Sequence, residues 1–250
     1  MVPGCDDAPL ASVPWGKQRK VFTLIVPYYD NPRFLVRQIE FWVKYPERLK
    51  FQMSMVIVDD ASPNYPAEPI LDLLRDQLVW KLDLFRIKVD IRWNWLAARN
   101  IGAHHAKTDW LLLTDIDHVL TEETLRSLVY GIHDPGIIYR FSRREHTGQK
   151  IHPHPNSWFM TKQMFWKVGG YNEAASGYYG TDASWRRRCA ATAPIRILPD
   201  ELVRYEYVED SSTTRYQRKQ PIDAKGKEIL RQWGDKPPKV LSFPYEEIVW

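Results

Sequence analysis

Two aspartates, Asp115 and Asp117, stand one residue apart where a predicted buried strand, Trp110–Thr114, comes to its end. In an open α/β sheet, ligands gather at the carboxyl ends of the strands, and side chains two residues apart in an extended chain point the same way. Two converging carboxylates repel each other unless a proton or a cation lies between them, and a hard divalent ion that also binds phosphate oxygens satisfies both. The plain alternative is a solvated strand end at which Asp117 or Thr121 caps the following helix.

The overall composition is that of an ordinary globular chain. Its 250 residues are enough for one large or two small domains, and no apolar run approaches the roughly 20 residues that span a bilayer. The first residues lack the basic and apolar regions of a secretory signal. Cys5 and Cys189 are far apart and in neither a metal nor a redox spacing. We therefore expect a cytoplasmic protein with no transmembrane segment and with unpaired thiols.

Positive charge is concentrated in one part of the chain. Between Arg140 and Arg196, ten Lys and Arg residues stand against three acidic residues, although the net charge of the whole chain is only +4. This bias suggests anionic ligands, such as a nucleoside diphosphate or a polyanionic acceptor, and a solvated basic helix face explains it equally well. The same part contains aromatic residues that could stack on an extruded base or on sugar rings: Trp158, Trp166, Tyr178, Tyr179 and Trp185.

Alternating strands and helices must position these residues. Strands are predicted at Val21–Val26, Phe51–Val58, Leu82–Ile87 and Trp110–Thr114, and helices at Arg33–Lys44, Ala67–Leu78, Leu96–Ala106 and Glu122–Tyr130. Such alternation with short turns is typical of a parallel sheet covered by helices. Further along, we expect shorter strands at Gly136–Phe141 and Ser157–Met160, helices at Lys162–Val168, Thr181–Ala191 and Ala224–Trp233, and a strand-like end.

Six segments resemble, in their order and spacing, the family-2 glycosyltransferases of the GT-A fold: Ile25–Asp30, Val56–Ser62, Ala97–Gly102, Leu113–Asp117, Phe165–Glu173 and Tyr179–Asp182. The resemblance covers roughly Val21 to Cys189. It implies an α/β fold with a Rossmann-like, mostly parallel central sheet flanked by helices and a smaller acceptor-side subregion. It divides the chain into a tail (1–20), a nucleotide-sugar-binding half (21–118), an acceptor and catalytic half (119–210) and a C-terminal extension (211–250).

The resemblance also implies an activity, transfer of a sugar from a nucleoside diphosphate to an acceptor hydroxyl with inversion, and UDP is the carrier we expect. Asp115 and Asp117 would hold Mn2+ or Mg2+, which stabilises the leaving diphosphate, and Asp182 matches the general base, typically worth 10²–10⁴-fold in rate. Asp182 could also be the N-cap of its helix. The residues implied to contact the donor are Pro27, Tyr28, Asp59, Asp60, Arg99, Asp115 and Gly170.

Two positions depart from the family pattern. Thr181 stands where a Glu is most common, which leaves the sugar specificity open. Many relatives supply a His as third metal ligand near 203–207, where this chain has none, so Glu206, His152, His154 or water could take that place. His118 is expected to be structural or exposed.

The acceptor and two alternative functions stay open. The acceptor is either a soluble glycan or small molecule, or a hydroxylated base in DNA. A non-catalytic nucleotide-sugar-binding module of the same fold is the main alternative, against which the joint presence of Asp115, Asp117 and Asp182 argues. A nicotinamide-dependent oxidoreductase is disfavoured because Pro27–Asp30 stands where the Gly-x-Gly-x-x-Gly turn would be.

Overall fold

The computed structural model describes residues 21–78, 82–91, 94–178, 181–205, 224–233 and 236–249. Ten strands of this part of the chain form one sheet: β1 (Phe22–Tyr28), β2 (Met53–Asp59), β3 (Leu82–Ile87), β4 (Trp110–Leu113), β5 (His118–Leu120), β6 (Ile138–Glu145), β7 (Lys150–Ile151), β8 (Trp158–Thr161), β9 (Ile195–Arg204) and β10 (Tyr245–Ile248).

Eight α-helices occur in the described ranges. They are α1 (Pro32–Lys44), α2 (Glu47–Lys50), α3 (Ala67–Leu73), α4 (Trp95–His105), α5 (Glu122–Tyr130), α6 (Lys162–Val168), α7 (Asp182–Thr192) and α8 (Ala224–Trp233). Short 3₁₀ turns follow α3 at Arg75–Gln77 and α6 at Glu173–Ala175.

The strand order is β10-β3-β2-β1-β4-β8-β6-β9-β5, with β7 paired to β6. Strands β3, β2, β1 and β4 are mutually parallel, which confirms the predicted parallel core. The register aligns Tyr28 of β1 with Asp59 of β2, and Ile25 of β1 with Leu113 of β4. The ends of these strands therefore meet at one edge of the sheet, where Asp60 follows β2 directly and Asp115 follows β4 after Thr114.

Helices cover both faces of the sheet because successive side chains of the buried strands alternate between them. Leu24 and Val26 pack on one face with the apolar side of α1, whereas Ile25 packs on the other with α4. Helix α4 lies unusually close to β1: a Cβ on Gly102 would come within 2.4 Å of the Ile25 Cγ2. Glycine at 102 therefore sets this packing distance.

The second half of the sheet is mixed. β8 is antiparallel to β4, β9 runs parallel to β6 with an irregularity after Phe141, and β5 pairs antiparallel with β9. Neither β5 nor β9 was predicted from the sequence, because β5 has only three residues and the polar stretch Pro199–Glu201 interrupts the apolar pattern of β9.

The C-terminal residues belong to the same sheet as the first half of the chain. β10 pairs antiparallel with β3, with Tyr245 opposite Ile87, so the expected strand-like end is confirmed. The division of the chain into functional halves stays a prediction. Among the helices of the described residues, none has both the length and the apolar character that crossing a bilayer requires.

Candidate active site

The paired aspartates lie where the sequence predicted them, immediately after β4. The turn that carries them is closed by a hydrogen bond from the His118 amide to the Asp115 carbonyl, 3.1 Å long. The side chains of Asp115 and Asp117 are 34% and 32% exposed, so both carboxylates reach solvent at the edge of the sheet. Each is also held by a buried side chain behind it.

Asp115 is held by Arg99. The Arg99 Nη2 donates to the Asp115 Oδ1 in a short ion pair, and the Nη1 donates to the Asn156 carbonyl at 2.8 Å and to the Tyr171 hydroxyl at 3.0 Å. The side chain of Arg99 is completely buried, with its guanidinium 4.9 Å from the Trp95 ring centroid. Burial raises the pKa of Asp115, while Arg99 opposes this increase. The sequence placed Arg99 against the donor itself, whereas the structure places it behind Asp115.

Asp117 is held by His118. The Asp117 Oδ1 lies 2.6 Å from the His118 Nδ1, and the imidazole is fully buried. On its other side, the His118 Nε2 lies 3.1 Å from the Arg143 Nη1. Burial raises the pKa of Asp117, but the interaction with His118 outweighs it and holds this pKa below its ordinary value. The sequence reasoning gave His118 no role, although its position directly after the acidic pair was the available signal.

A third side chain, His154, approaches the pair from the loop before β8. Its Nε2 lies 3.3 Å from the Asp115 Oδ2, and burial lowers its pKa well below the ordinary value, which favours the neutral form of the imidazole. The Arg140 Nη2 holds this loop by donating to the carbonyls of Pro153 and His154. Of the candidate third ligands, His154 lies beside the acids, the side chain of His152 is exposed, and Glu206 is outside the described residues.

The chemistry of this donor set fits a hard divalent cation. Two carboxylates and a neutral imidazole are ligands that Mn2+ accepts, and the Asp117 Oδ2 accepts no hydrogen bond from the described residues. In the part of the chain that the structure describes, however, no three His, Cys, Asp or Glu side chains are arranged so that they could hold a metal ion. The donor types are therefore present, but they do not form a ready-made ligand set.

The two aspartates at the end of β2 differ in what they bind. Asp59 accepts from the Ser62 amide at 2.8 Å and the Ala67 amide at 2.9 Å, so it orders the turn that leads into α3. The Asp60 Oδ2 accepts from the Asn94 amide at 3.0 Å, but its Oδ1 is buried and has no hydrogen-bond partner among the described residues. Burial raises the pKa of both carboxyl groups. Asp60 therefore has one oxygen that no described residue engages but that is closed to solvent, and Asp59 has an internal structural role.

Three other residues that were predicted to contact the sugar nucleotide lie in packed or half-buried positions. The ring of Tyr28 is buried, and its hydroxyl donates to the Tyr65 carbonyl at 2.5 Å, so the structure does not present this ring to a nucleoside. Gly170 has a φ of +64°, and a Cβ there would lie 3.0 Å from the Asn100 Oδ1, which accounts for glycine through packing. Pro27 is half-buried at the end of β1.

Asp182 begins α7. The N-cap position is occupied by Thr181, which makes no side-chain capping hydrogen bond, so Asp182 is not the cap. Asp182 is half-buried and accepts no hydrogen bond from the described residues. One turn later, Trp185 stacks on Tyr171 with ring centroids 4.2 Å apart, and Tyr171 in turn accepts from Arg99. A chain of direct contacts therefore joins the helix of Asp182 to the side chain that holds Asp115.

Glu173 connects this region to the C-terminal residues. Its buried carboxylate accepts from the Asn100 Nδ2 at 2.8 Å, from the backbone amides of Leu241 and Ser242 at 2.7 Å each, and from the Ser242 hydroxyl at 2.6 Å. Asn100 is the neighbour of Arg99 on α4 and also binds the backbone of Tyr171. One carboxylate thus ties α4 and the residues before β10 together.

Replacing Glu173 with glutamine is expected to loosen the C-terminal residues. A glutamine amide group would face at least one backbone N–H, which leaves a buried donor unpaired at a cost of about 1–3 kcal/mol. Hydrogen exchange should become faster in residues 236–249, while an exposed control, Glu228→Gln in α8, leaves it unchanged. Unchanged exchange in Glu173→Gln would show that the carboxylate does not hold this segment.

The basic and aromatic region between Arg140 and Arg196 is partly internal. Trp158 and Trp185 are buried, so these rings are not available to stack on an extruded base. Arg143 binds His118 and the His152 carbonyl, and Arg188 donates to the Val168 carbonyl at 3.1 Å. The exposed cations that remain are Lys150, Lys167, Arg186, Arg187 and Arg196.

The parallel core, the acidic pair at its edge and the mixed second half define a GT-A fold, the fold class of nucleotide-sugar transferases. A family model, Glycosyl transferase family 2, matches residues 23–187, which is more than half of the chain. The protein belongs to this family. No curated protein sequence matches the chain.

Solved structures show the same fold at low sequence identity. S. aureus TarS 1-349 matches with a TM-score of 0.59 and 16% identity over 74% of this chain and 60% of that one. Its complex with UDP-GlcNAc matches with a TM-score of 0.59 and 16% identity, over 75% and 59%. GalNAc-T7 with UDP, GalNAc and Mn2+ gives a TM-score of 0.62 and 13% identity, over 88% and 49%. The chain thus spans about 60% of the TarS fragment it matches.

Proposed function

We propose that this protein is a metal-dependent, inverting glycosyltransferase that moves a sugar from a UDP-sugar to an acceptor hydroxyl. The proposal rests on the geometry of the acidic pair. Asp115 and Asp117 face solvent at the end of β4, and the buried side chains of Arg99 and His118 hold their carboxylates from the interior. Holding two like charges side by side in this way has a cost that a cationic ligand at the pair relieves. UDP in the similar TarS and GalNAc-T7 structures supports the choice of carrier.

The chain's own residues then have separate tasks. The buried Asp60 Oδ1, which no described residue engages, would accept from an N–H group of the base once the donor opens its surroundings, and the end of β1, with Pro27, lines the same edge of the sheet. Asp115 and Asp117 would hold Mn2+ or Mg2+, with His154, Glu206 or water as third ligand, and the bound ion would neutralise charge on the leaving diphosphate. Asp182 takes the proton from the acceptor hydroxyl as that oxygen attacks the anomeric carbon from the opposite face of the sugar.

The acceptor we propose is a glycan or a small hydroxylated molecule. A DNA base would require exposed aromatic side chains for stacking. Of the five that the sequence offered, Trp158 and Trp185 are buried, Trp166 and Tyr178 are half-buried, and Tyr179 lies outside the described residues. Exposed Arg186 lies one helical turn from Asp182, so an acceptor with negative charge would be favoured at this side. Duplex DNA containing hydroxymethylated bases should therefore be a poor acceptor.

The first test needs no acceptor. With Mn2+ and a panel of sugar nucleotides, we expect slow release of UDP from one UDP-sugar, since water replaces the missing acceptor, and chelation by EDTA should stop the release. Binding of the donor without release or transfer would favour the non-catalytic binding module instead. Failure to bind any sugar nucleotide would contradict the proposed function.

A further inference from the structure

The imidazole of His118 is a polar group in the interior to which the proposed reaction assigns no task. His118 is the first residue of β5, and its imidazole is fully buried directly behind Asp117. Both ring nitrogens have polar contacts: the Nδ1 lies 2.6 Å from the Asp117 Oδ1, and the Nε2 lies 3.1 Å from the Arg143 Nη1. The backbone of His118 is held as well, because its carbonyl accepts from the Gln38 Nε2 at 2.5 Å.

The partners of the ring determine which nitrogen carries the proton. An arginine side chain can only donate hydrogen bonds, so the Arg143 Nη1 requires the His118 Nε2 to be the acceptor. The proton of the ring therefore lies on Nδ1, where it is donated to the Asp117 Oδ1. Arg143 is itself held, because its Nε donates to the His152 carbonyl. The network thus selects one tautomer of His118 and one orientation of its ring.

This arrangement leaves Asp117 with one fixed and one available oxygen. The Oδ1 is used by His118, whereas the Oδ2 accepts no hydrogen bond from the described residues, and the side chain is one-third exposed. A carboxylate free to rotate would populate several orientations, and a bound ligand would have to restrict it. With the Oδ1 anchored from the interior, the Oδ2 is already presented at the edge of the sheet.

We infer that His118 is a positioning residue that, as a Nδ1–H donor, holds the Asp117 carboxylate in the orientation required for binding the metal and diphosphate. The inference rests on the proposed function, since it concerns the same acidic pair. Groups that orient a metal-binding side chain commonly change metal affinity or activity about 10–100-fold when they are replaced. This positioning role requires only the Nδ1 atom, whereas a packing role would depend on the size and shape of the whole side chain.

A matched pair of substitutions tests whether the His118 Nδ1 is the atom that positions Asp117. The asparagine Nδ2 of His118→Asn can take the place of Nδ1, whereas the glutamine Nε2 of His118→Gln falls near the Nε2 position. Both variants remove the ring and leave an amide, so a purely structural role predicts equal effects. We expect UDP affinity in the presence of Mn2+, measured by calorimetry, to stay close to wild type in His118→Asn and to fall about 10–100-fold in His118→Gln. Equal affinities in the two variants would overturn the inference.

Two further results keep the inference separate from the proposed function. In the unsubstituted protein, the ¹⁵N shifts of the His118 ring should show the Nδ1–H tautomer, and an Nε2–H tautomer would overturn the inference even if both variants failed to fold. If the unsubstituted protein binds no UDP with Mn2+, the proposed function fails and the inference fails with it. Binding by the unsubstituted protein together with the wrong tautomer would overturn only the role of His118.

Discussion

Replacing Asp182 with asparagine is expected to reduce sugar transfer by about 10²–10⁴-fold, because asparagine cannot accept the proton of the acceptor hydroxyl. Binding of the UDP-sugar should be unchanged, since Asp182 makes no hydrogen bond to the described residues and does not belong to the acidic pair. Initial rates of transfer and calorimetric titration of the donor measure the two properties separately. A fall in turnover with constant donor affinity is therefore the predicted pattern.

The matched control for this substitution is Asp72→Asn. Asp72 is an exposed aspartate of α3 whose one ion pair with the described residues is to Arg75, on the surface, and its replacement should change neither turnover nor donor affinity. Unchanged turnover in Asp182→Asn would refute its assignment as the base. Loss of donor affinity in the same variant would instead place Asp182 in the donor site.

Replacing Arg99 with methionine is expected to destabilise the protein by about 3 kcal/mol or more. Asp115 reaches solvent, so losing its cation costs less than the roughly 3–5 kcal/mol that is common for a fully buried ion pair. The Tyr171 hydroxyl and the Asn156 carbonyl lose their donor as well, and each buried group left unpaired costs about 1–3 kcal/mol. Methionine fills a similar length of apolar space, so the effect measures the lost charge more than a cavity. Equilibrium denaturation gives the free energy of unfolding directly.

Two controls isolate the Arg99–Asp115 interaction. Arg126→Met removes an exposed partner of Glu122 on α5, and such surface pairs contribute about 0–1 kcal/mol. The double variant Arg99→Met/Asp115→Asn removes both charges, and we expect it to be more stable than Arg99→Met alone. If Arg99→Met were as stable as Arg126→Met, the role of Arg99 as the support of Asp115 would be wrong.

The main features of the fold were predictable because the first half of the chain has simple patterns. Continuous apolar runs such as Val21–Val26 and Trp110–Thr114 become β1 and β4 with boundaries shifted by at most two residues. The strands β5 and β9 were missed for a physical reason. Their pairing with each other depends on contacts between residues about 80 positions apart, and neither has the alternation of a half-buried strand.

The site was predictable to a similar extent. The sequence located the acidic pair, but burial decides the roles of its neighbours, and burial is not visible in a motif. Arg99 was placed against the donor, yet its side chain is enclosed by Trp95 and Tyr171. His118 was considered structural or exposed, yet it contacts Asp117 directly. Which oxygen of a carboxylate is already paired, as in Asp59 and Asp60, follows only from the folded backbone.

The most direct test of the account is a crystal structure of the protein with UDP and Mn2+, in which anomalous scattering locates the manganese. We predict one manganese peak in contact with Asp117 and the diphosphate, with Asp115 still paired to Arg99 and with the carboxylate of Asp182 facing the same cleft from the opposite side. A diphosphate bound away from the end of β4, or an Asp182 side chain turned away from the cleft, would contradict it.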